Sequence, residues 1–340
     1  MTETNPRDFD VLSFGEALVD FLPDQRGPLR EVESFRRVVG GAPANVAVGL
    51  ARLGREVAFL GKVGDDEFGA YVDMQLTEEG VDVAGLDRSK EAKTGITFVS
   101  LDESGDRSFM FFREPSADLV IGPDDIDDAL VARCSIVHLG SNLMTEALPL
   151  AATMRLLDAA DAHGCVISCD PNLRLHLWPN ADADKARAQI DRLVERAELI
   201  KLNDDELDFV ADGGSVESLW HERLRPAGAL ALLVTHAERG AEVFCGDTHV
   251  SVDAPNTEVV DTTGAGDGFM SGFLAAVTEV CGSDGRAPAP SRLREQLAGC
   301  DDAQWTTLLE FACAAGSTAC RTLGATPGLA RRDELPDLAR

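Results

Sequence analysis

The stretch VVDTTGAGDGFMS (259–271) runs from an apolar strand end through a Gly-Ala-Gly turn into an apolar helix. Such a turn lets consecutive backbone N–H groups converge at a helix N-terminus, where the helix dipole adds positive potential. The result is an anion hole suited to charge developing on a transferred phosphoryl group. Asp267 stands at its mouth, where a carboxylate is costly beside phosphate unless it handles a proton or a metal. A bland reading competes, in which Asp267 only caps a tight strand-to-helix connection. The chain has no G-x-x-x-x-G-K-S/T, and the glycine spacing here differs from the G-x-G-x-x-G dinucleotide fingerprint.

Reading outward, buried-strand runs alternate with helical periodicity. The run from 10 to 22 reads as one strand. Val46, Leu50 and Leu53 give helical spacing over 44–53, 57–63 reads as a strand, and 66–79 as an amphipathic helix stopped by Gly80. Further strands are expected at 135–139, 166–169, 199–202 and 231–235, with helices at 146–162, 182–196, 266–280 and 305–323. The runs GITFVSL and RSFMFFR flank the turn DESGD and predict an antiparallel hairpin over 95–113, and a second hairpin is expected at 242–252. GSDGRAPAP (282–290) reads as a surface loop. This rhythm predicts one α/β domain over 8–336, doubly wound, with a mostly parallel central sheet between helices. A small β lid is expected from about 22–39 and 94–114.

Composition excludes other classes. The 340 residues hold 31 Lys plus Arg against 59 Asp plus Glu, a net charge of -28 that repels nucleic acid and anionic membranes. Only five of the cations are lysines, a pattern shared by salt-adapted surfaces and by a GC-rich coding bias. The eight cysteines form no C-x-x-C pair and the six histidines are dispersed, so free thiols are expected rather than zinc. MTETNPRDFD (1–10) lacks the basic and apolar regions of a signal peptide, and a cytoplasmic enzyme is the expectation.

The DTTGAGD element resembles the C-terminal signature of the ribokinase-like sugar kinases, the phosphofructokinase-B family. VVGGAPANVAVGLARLG (38–54) is similar to the family's other signature, and GEALVDFLP (15–23), FREPSADLVI (112–121), DPNLRLHLWP (170–179), NDDE (203–206) and FACAAGSTACRTLGATPGL (311–329) follow in family order. Taken together, GGAPANVA, FREPSAD and DPNLRLHLWP most resemble the fructokinases of that family. The resemblance implies an ATP-dependent kinase acting on a sugar hydroxymethyl group, most simply fructose to fructose 6-phosphate. A 2-keto-3-deoxygluconate kinase is the alternative within the family, and a non-catalytic sugar sensor the alternative outside enzymes.

The resemblance also implies roles. Asp267 would be the catalytic base, and Gly264, Ala265 and Gly266 the anion hole for the γ-phosphate. Asp20, Gly40, Gly41 and Asn45 would hold the sugar, with Arg113 and Arg174 reaching it from the lid side. Asn203 and Glu206 would organise Mg²⁺ through water, Asp261 and Thr263 a monovalent cation, usually K⁺, and Thr235, Gly240 and Gly324 the nucleotide. Lids of this family pair between subunits, which implies a homodimer with Phe98, Phe109 and Phe111 near the contact. Structural alternatives remain: Arg113 as an exposed hairpin residue, Asn203 with Glu206 as a helix cap, and Asp170 with Arg174 as an ion pair. Ala237 replaces a frequent Gly, Cys313 a frequent Asn, and Gly268 a frequent Ala or Ser, the last expected to be harmless.

Overall fold

The computed structural model describes residues 7–101, 107–113, 115–282 and 288–338. The central sheet has nine strands: β1 (Phe9–Phe14), β4 (Val57–Gly64), β5 (Asp82–Ser89), β8 (Cys134–Leu139), β9 (Val166–Cys169), β10 (Leu199–Asn203), β11 (Ala231–Thr235), β12 (Ala241–Cys245) and β13 (Thr248–Val252). Their order is β13-β12-β11-β10-β9-β8-β1-β4-β5. Pairing is parallel throughout except where β12 and β13 turn back antiparallel at one edge. Strands β2 (Leu18–Pro23), β3 (Phe35–Gly40), β6 (Ile96–Leu101) and β7 (Arg107–Phe112) form a second sheet in the order β3-β2-β6-β7.

Successive residues of the central strands enter opposite cores, as the pleat requires. Val11, Phe59, Ile136 and Leu233 pack beneath helices α1 (Ala42–Arg52), α2 (Glu67–Glu78), α6 (Ala265–Cys281), α7 (Pro290–Gly299) and α8 (Asp302–Ala319). Leu12, Leu60, Val137 and Leu232 pack against α3 (Ala147–Ala162), α4 (Ala183–Val194) and α5 (Asp204–Ala211). Gly268 and Gly272 let α6 lie directly on α8: a Cβ on Gly272 would sit 2.6 Å from that of Ala315, and one on Gly268 3.1 Å from the Ala315 carbonyl. Gly268 thus sits in close helix contact, where a glycine in place of Ala or Ser is accommodated without a clash.

Three expectations are corrected. The single strand over 10–22 is two strands in different sheets. Gly15 breaks them at φ 153°, where a Cβ would strike the Pro43 ring at 2.4 Å, so β2 joins the small sheet. Strand β5 escaped notice because this edge strand is half polar and buries only Leu86 and Ser89. Pro290 does not end a loop but opens α7, its missing N–H harmless in a first turn. The DESGD turn and residues 283–287 lie outside the described residues.

Strand order reverses around β1, which pairs with β4 on one side and β8 on the other. The crevice beyond the carboxyl ends at such a reversal is where open α/β sheets bind ligands. The chain exits there at Glu16 after β1, Asn142 after β8, Asp170 after β9 and Asn203 at the end of β10, and all four line one cleft of about 620 Å³.

Candidate active site

The floor of the cleft is the N-terminus of α6. Gly264 is its N-cap at φ 83°, and a Cβ there would lie 2.7 Å from Ala325, so only glycine fits the turn. The Ala265 N–H turns back to the Thr262 carbonyl at 3.2 Å. The N–H groups that follow, those of Gly266 and Asp267, have no acceptor within the helix. Ala265 itself does not line the cleft, a correction to its expected role.

Asp267 is the third residue of α6, and its carboxylate accepts from Asn45 Nδ2 at 2.7 Å rather than from the helix backbone. The capping alternative fails on that geometry. Asn45 is buried on α1, and its Oδ1 lies 2.8 Å from the Thr326 hydroxyl while its NH₂ faces the carboxylate. Burial pushes the Asp267 carboxyl up to about 6; the Asn45 hydrogen bond opposes this, Asp170 adds to it, and Arg174 and Lys201 oppose it. Asp20 faces the same space from β2. Burial, opposed by the neighbouring Thr97 hydroxyl and reinforced by the charge of Asp267, lifts it to about 7. Gly40 clears room for it, since a Cβ there would fall 2.2 Å from Asp20 Oδ2.

A buried charge cluster forms the adjoining wall. Lys201 Nζ lies 2.9 Å from Asp170 Oδ2 and 3.7 Å from Glu206 Oε2. Burial disfavours this ammonium, but Asp170 and Glu206 outweigh it and hold it above its ordinary range. Asp170 thus pairs with Lys201, and Arg174 is exposed at the cleft mouth, so the suggested Asp170–Arg174 pair is not formed. Asn203 and Glu206 make a reciprocal capping box on α5, and Glu206 also accepts from Leu173 N–H at 2.9 Å. They are both a helix cap and part of the cleft lining.

Arg113 is buried, not an exposed hairpin residue. Its Nε donates to Asp118 at 2.6 Å and its guanidinium reaches the Asn142 carbonyl at 3.3 Å, while Asn142 Nδ2 donates to Glu16 at 2.9 Å. Gly41 opens α1 beside this wall at φ 99°. Asp261 receives the N–H groups of Thr263 at 2.5 Å and Gly324 at 2.6 Å, tying the loop before α6 to the one before Ala325. Thr235 and Gly240 do not line the cleft. Gly240 is needed where it stands, since a Cβ would meet the Val252 carbonyl at 2.0 Å. Ala237 keeps a positive φ of 50° in that same turn, a conformation that favours the glycine it replaces. Cys313 is buried in the α8 core and does not line the cleft.

Sequence reasoning missed Lys201, Glu16 and Asn142. Lys201 did leave a signal: a lysine inside the apolar run LIKL must find carboxylates once buried. Asn142 left none. Among the described residues no cluster of His, Cys, Asp and Glu could hold a metal by itself, and no helix is long and apolar enough to cross a membrane.

A family model described as pfkB family carbohydrate kinase matches residues 8–331. The chain is 37% identical over 330 residues to Fructokinase-2 of Solanum habrochaites, covering 95% of this chain and 94% of that one. Among solved structures, a Xylella fastidiosa fructokinase with bound ATP superposes with a TM-score of 0.84 at 33% identity, covering 96% of each chain. A Vibrio cholerae fructokinase double mutant with fructose, ADP and potassium bound gives 0.79 at 28% identity, again covering 96% of each.

Proposed function

The chain belongs to the pfkB family of carbohydrate kinases, and from that premise we propose that this ATP-dependent sugar kinase is a fructokinase, moving the γ-phosphate of ATP to the terminal hydroxymethyl group of fructose. The observation that carries the reading is Asp267: a buried carboxylate, oriented by Asn45, beside the open N–H groups of α6. In the reaction Asp267 takes the hydroxyl proton as the sugar oxygen bonds to the γ-phosphorus. The bond to ADP breaks with its electron pair leaving on the β-phosphate oxygen. The Gly266 and Asp267 N–H groups receive the charge on the phosphoryl oxygens, and catalysis is positioning plus neutralisation.

Asp20, Gly41 and Asn45 would hold the sugar, with Arg113 bracing the adjoining wall through Asp118 rather than gripping the substrate. The oxygens of Asn203 and Glu206 already serve backbone N–H groups, so they fit Mg²⁺ only through its water shell, which Mg²⁺ gives up reluctantly. Held there through water, Mg²⁺ would supply positive charge to neutralise the phosphates. The oxygen-rich loop at Asp261 and Thr263 fits a monovalent cation such as K⁺. Thr235 and Gly240 stand outside the cleft, so a nucleotide contact there needs ATP to extend past its rim. The small sheet, with Phe109 and Phe111 facing the cleft, would act as the lid. Cysteines without a disulfide between described residues suit the reducing cytoplasm. The test is ADP release over a sugar panel with saturating ATP. Preferential turnover of 2-keto-3-deoxygluconate would reassign the substrate, and sugar binding without turnover would leave only a sensor.

The pH profile follows from Asp267. A base must be ionised, and its carboxyl sits at about 6, so kcat/KM should fall as pH drops through 6 and reach a plateau above it. Flat activity between pH 5 and 7 would contradict the assignment.

Assembly through the lid is proposed with revised contacts. Phe109 and Phe111 line the cleft, whereas Phe98 lies on the opposite face, stacked on Phe21 at 4.8 Å beside Phe112. Met110 at 49% and Phe112 at 54% exposure leave that outer face apolar and open. A homodimer burying it is expected by light scattering at micromolar concentration, and Met110→Lys with Phe112→Lys should give monomers. A monomeric wild type would refute it.

A further inference from the structure

A second pocket, of about 250 Å³, lies where the free edge of β3 faces α1, α2 and the turn at Thr326. In a chain of net charge -28, its wall is unexpectedly basic: Arg36, Arg37 and Arg52 all line it. Its carboxylate, Glu79, is already neutralised, since Arg52 grips it with Nε at 2.9 Å and a second nitrogen at 2.5 Å. Arg36 and Arg37 are exposed and have no carboxylate within ion-pair distance among the described residues. Arg37 is stacked 4.3 Å over the ring of Tyr71, the only tyrosine in the chain.

The strand edge adds backbone donors. The Arg37 carbonyl accepts from the Tyr71 hydroxyl at 3.3 Å, and the Val39 carbonyl from the Thr326 hydroxyl at 2.6 Å, so both carbonyls point away from β2. In an antiparallel strand the N–H of a residue points the same way as its carbonyl. The N–H groups of Arg37 and Val39 therefore point across the free edge towards the pocket. Two guanidinium groups and two backbone N–H groups around one small cavity match the oxygens of a phosphate monoester. The volume falls below the ~300–1,000 Å³ of drug-sized sites, which favours a small ester over a nucleotide.

The pocket is wired to the site already described. Arg52 also donates to the Thr326 carbonyl at 2.7 Å and to that of Leu329 at 2.9 Å, holding the turn in place. Thr326 in turn touches Asn45 at 2.8 Å, and Asn45 holds Asp267 at 2.7 Å. We propose that this pocket is a regulatory site for a small phosphate ester, which competes for Arg52 and loosens the Thr326–Asn45–Asp267 chain. The expected outcome is inhibition, an electrostatic brake on a kinase whose products are themselves phosphate esters. Its effect on turnover rests on Asp267 being the base.

The test uses the intact enzyme with the cleft saturated by fructose and a non-hydrolysable ATP analogue, so that only the second site is open. Calorimetric titration with glycerol 3-phosphate should show one site per chain, weakened at least about tenfold in Arg36→Gln/Arg37→Gln. Inorganic phosphate in a parallel arm tells the ester from the bare anion: equal affinity would overturn the ester assignment. In the assay, with ATP and sugar saturating, glycerol 3-phosphate should lower kcat about fivefold, within the range of allosteric couplings. The double variant should lose this response while keeping its basal rate. Thr326→Val should still bind the ester but no longer transmit it. Absence of binding at 10 mM, or binding indifferent to both arginines, overturns the site. Were Asp267 not the base, Asp267→Asn would keep its turnover while the titration stayed unchanged, so the two failures are separable.

Discussion

Asp267→Asn should give a folded protein whose turnover has fallen by at least about 10²–10⁴-fold, the usual worth of a positioned general base. The substitution keeps the volume and keeps an oxygen for Asn45 Nδ2, now 2.7 Å from the carboxylate, so the orienting contact survives. What disappears is the capacity to take a proton. The loss should appear in kcat and kcat/KM together, since the interaction removed exists only as the hydroxyl attacks. ATP binding should hold, because the helix N-terminus is untouched and one negative charge beside the phosphates is gone. Stability supplies an independent check. The carboxyl ionises at about 6 in the folded chain against 3.8 ordinarily, so between those values the native state binds more protons than the unfolded one. Stability contributed by that difference is lost as pH rises through the window, and an ionised Asp267 is a burden at pH 7. The Asn variant should therefore melt no lower than wild type at pH 7. An inactive variant with an unchanged or higher midpoint fits a base; turnover within a few-fold of wild type would remove Asp267 from catalysis.

The parts of this molecule legible in sequence are those where local chemistry and tertiary role coincide. The GAGD turn is one: Gly264 at positive φ against Ala325 and a helix starting at once are both written in the glycine spacing. Central strands such as Val166–Cys169 and Ala231–Thr235 read cleanly because both faces are buried, which makes the run continuously apolar. Strand β5 did not, because an edge position buries too little for a pattern to form. The break at Gly15 was hidden for a different reason. The residues on either side are equally apolar, and only the approach of Pro43 forces the chain from one sheet to the other. In the site, the helix-capping look of NDDE was correct and incomplete, since a capping box can also line a cleft. The Arg113–Asp118–Asn142–Glu16 network was invisible because it joins three separate strand ends, and no local spacing encodes that meeting.

The second large effect is expected at Lys201. Its Nζ lies between Asp170 and Glu206, whose residues are 6% and 3% exposed, so the three charges share almost no solvent. Lys201→Met preserves length and apolar packing but strands two facing carboxylates without their cation. Removing one partner of a buried pair costs about 3–5 kcal/mol, far more than the ~0–1 kcal/mol of an exposed pair. The loss should shrink as pH falls: burial already raises the Glu206 carboxyl and Lys201 opposes that rise, so without Lys201 Glu206 ionises at higher pH still and the folded variant gains a proton that the unfolded chain lacks. Adding Asp170→Asn should recover part of the stability, because the second change removes one of the two uncompensated charges. Function gives a readout that packing alone would not move. Lys201 lowers the Asp267 carboxyl, so its loss should carry the acidic limb of the kcat/KM profile above 6. The ammonium also sits 3.4 Å from where a Cβ on Gly266 would stand, at the edge of the anion hole, so turnover should drop even at the new pH optimum. Urea unfolding at pH 7 measures the first effect and the pH–rate profile the second. A stability change below 1 kcal/mol with an unmoved limb would reduce Lys201 to the weight of a surface ion pair, and the cluster to ordinary structural filling of the cleft wall.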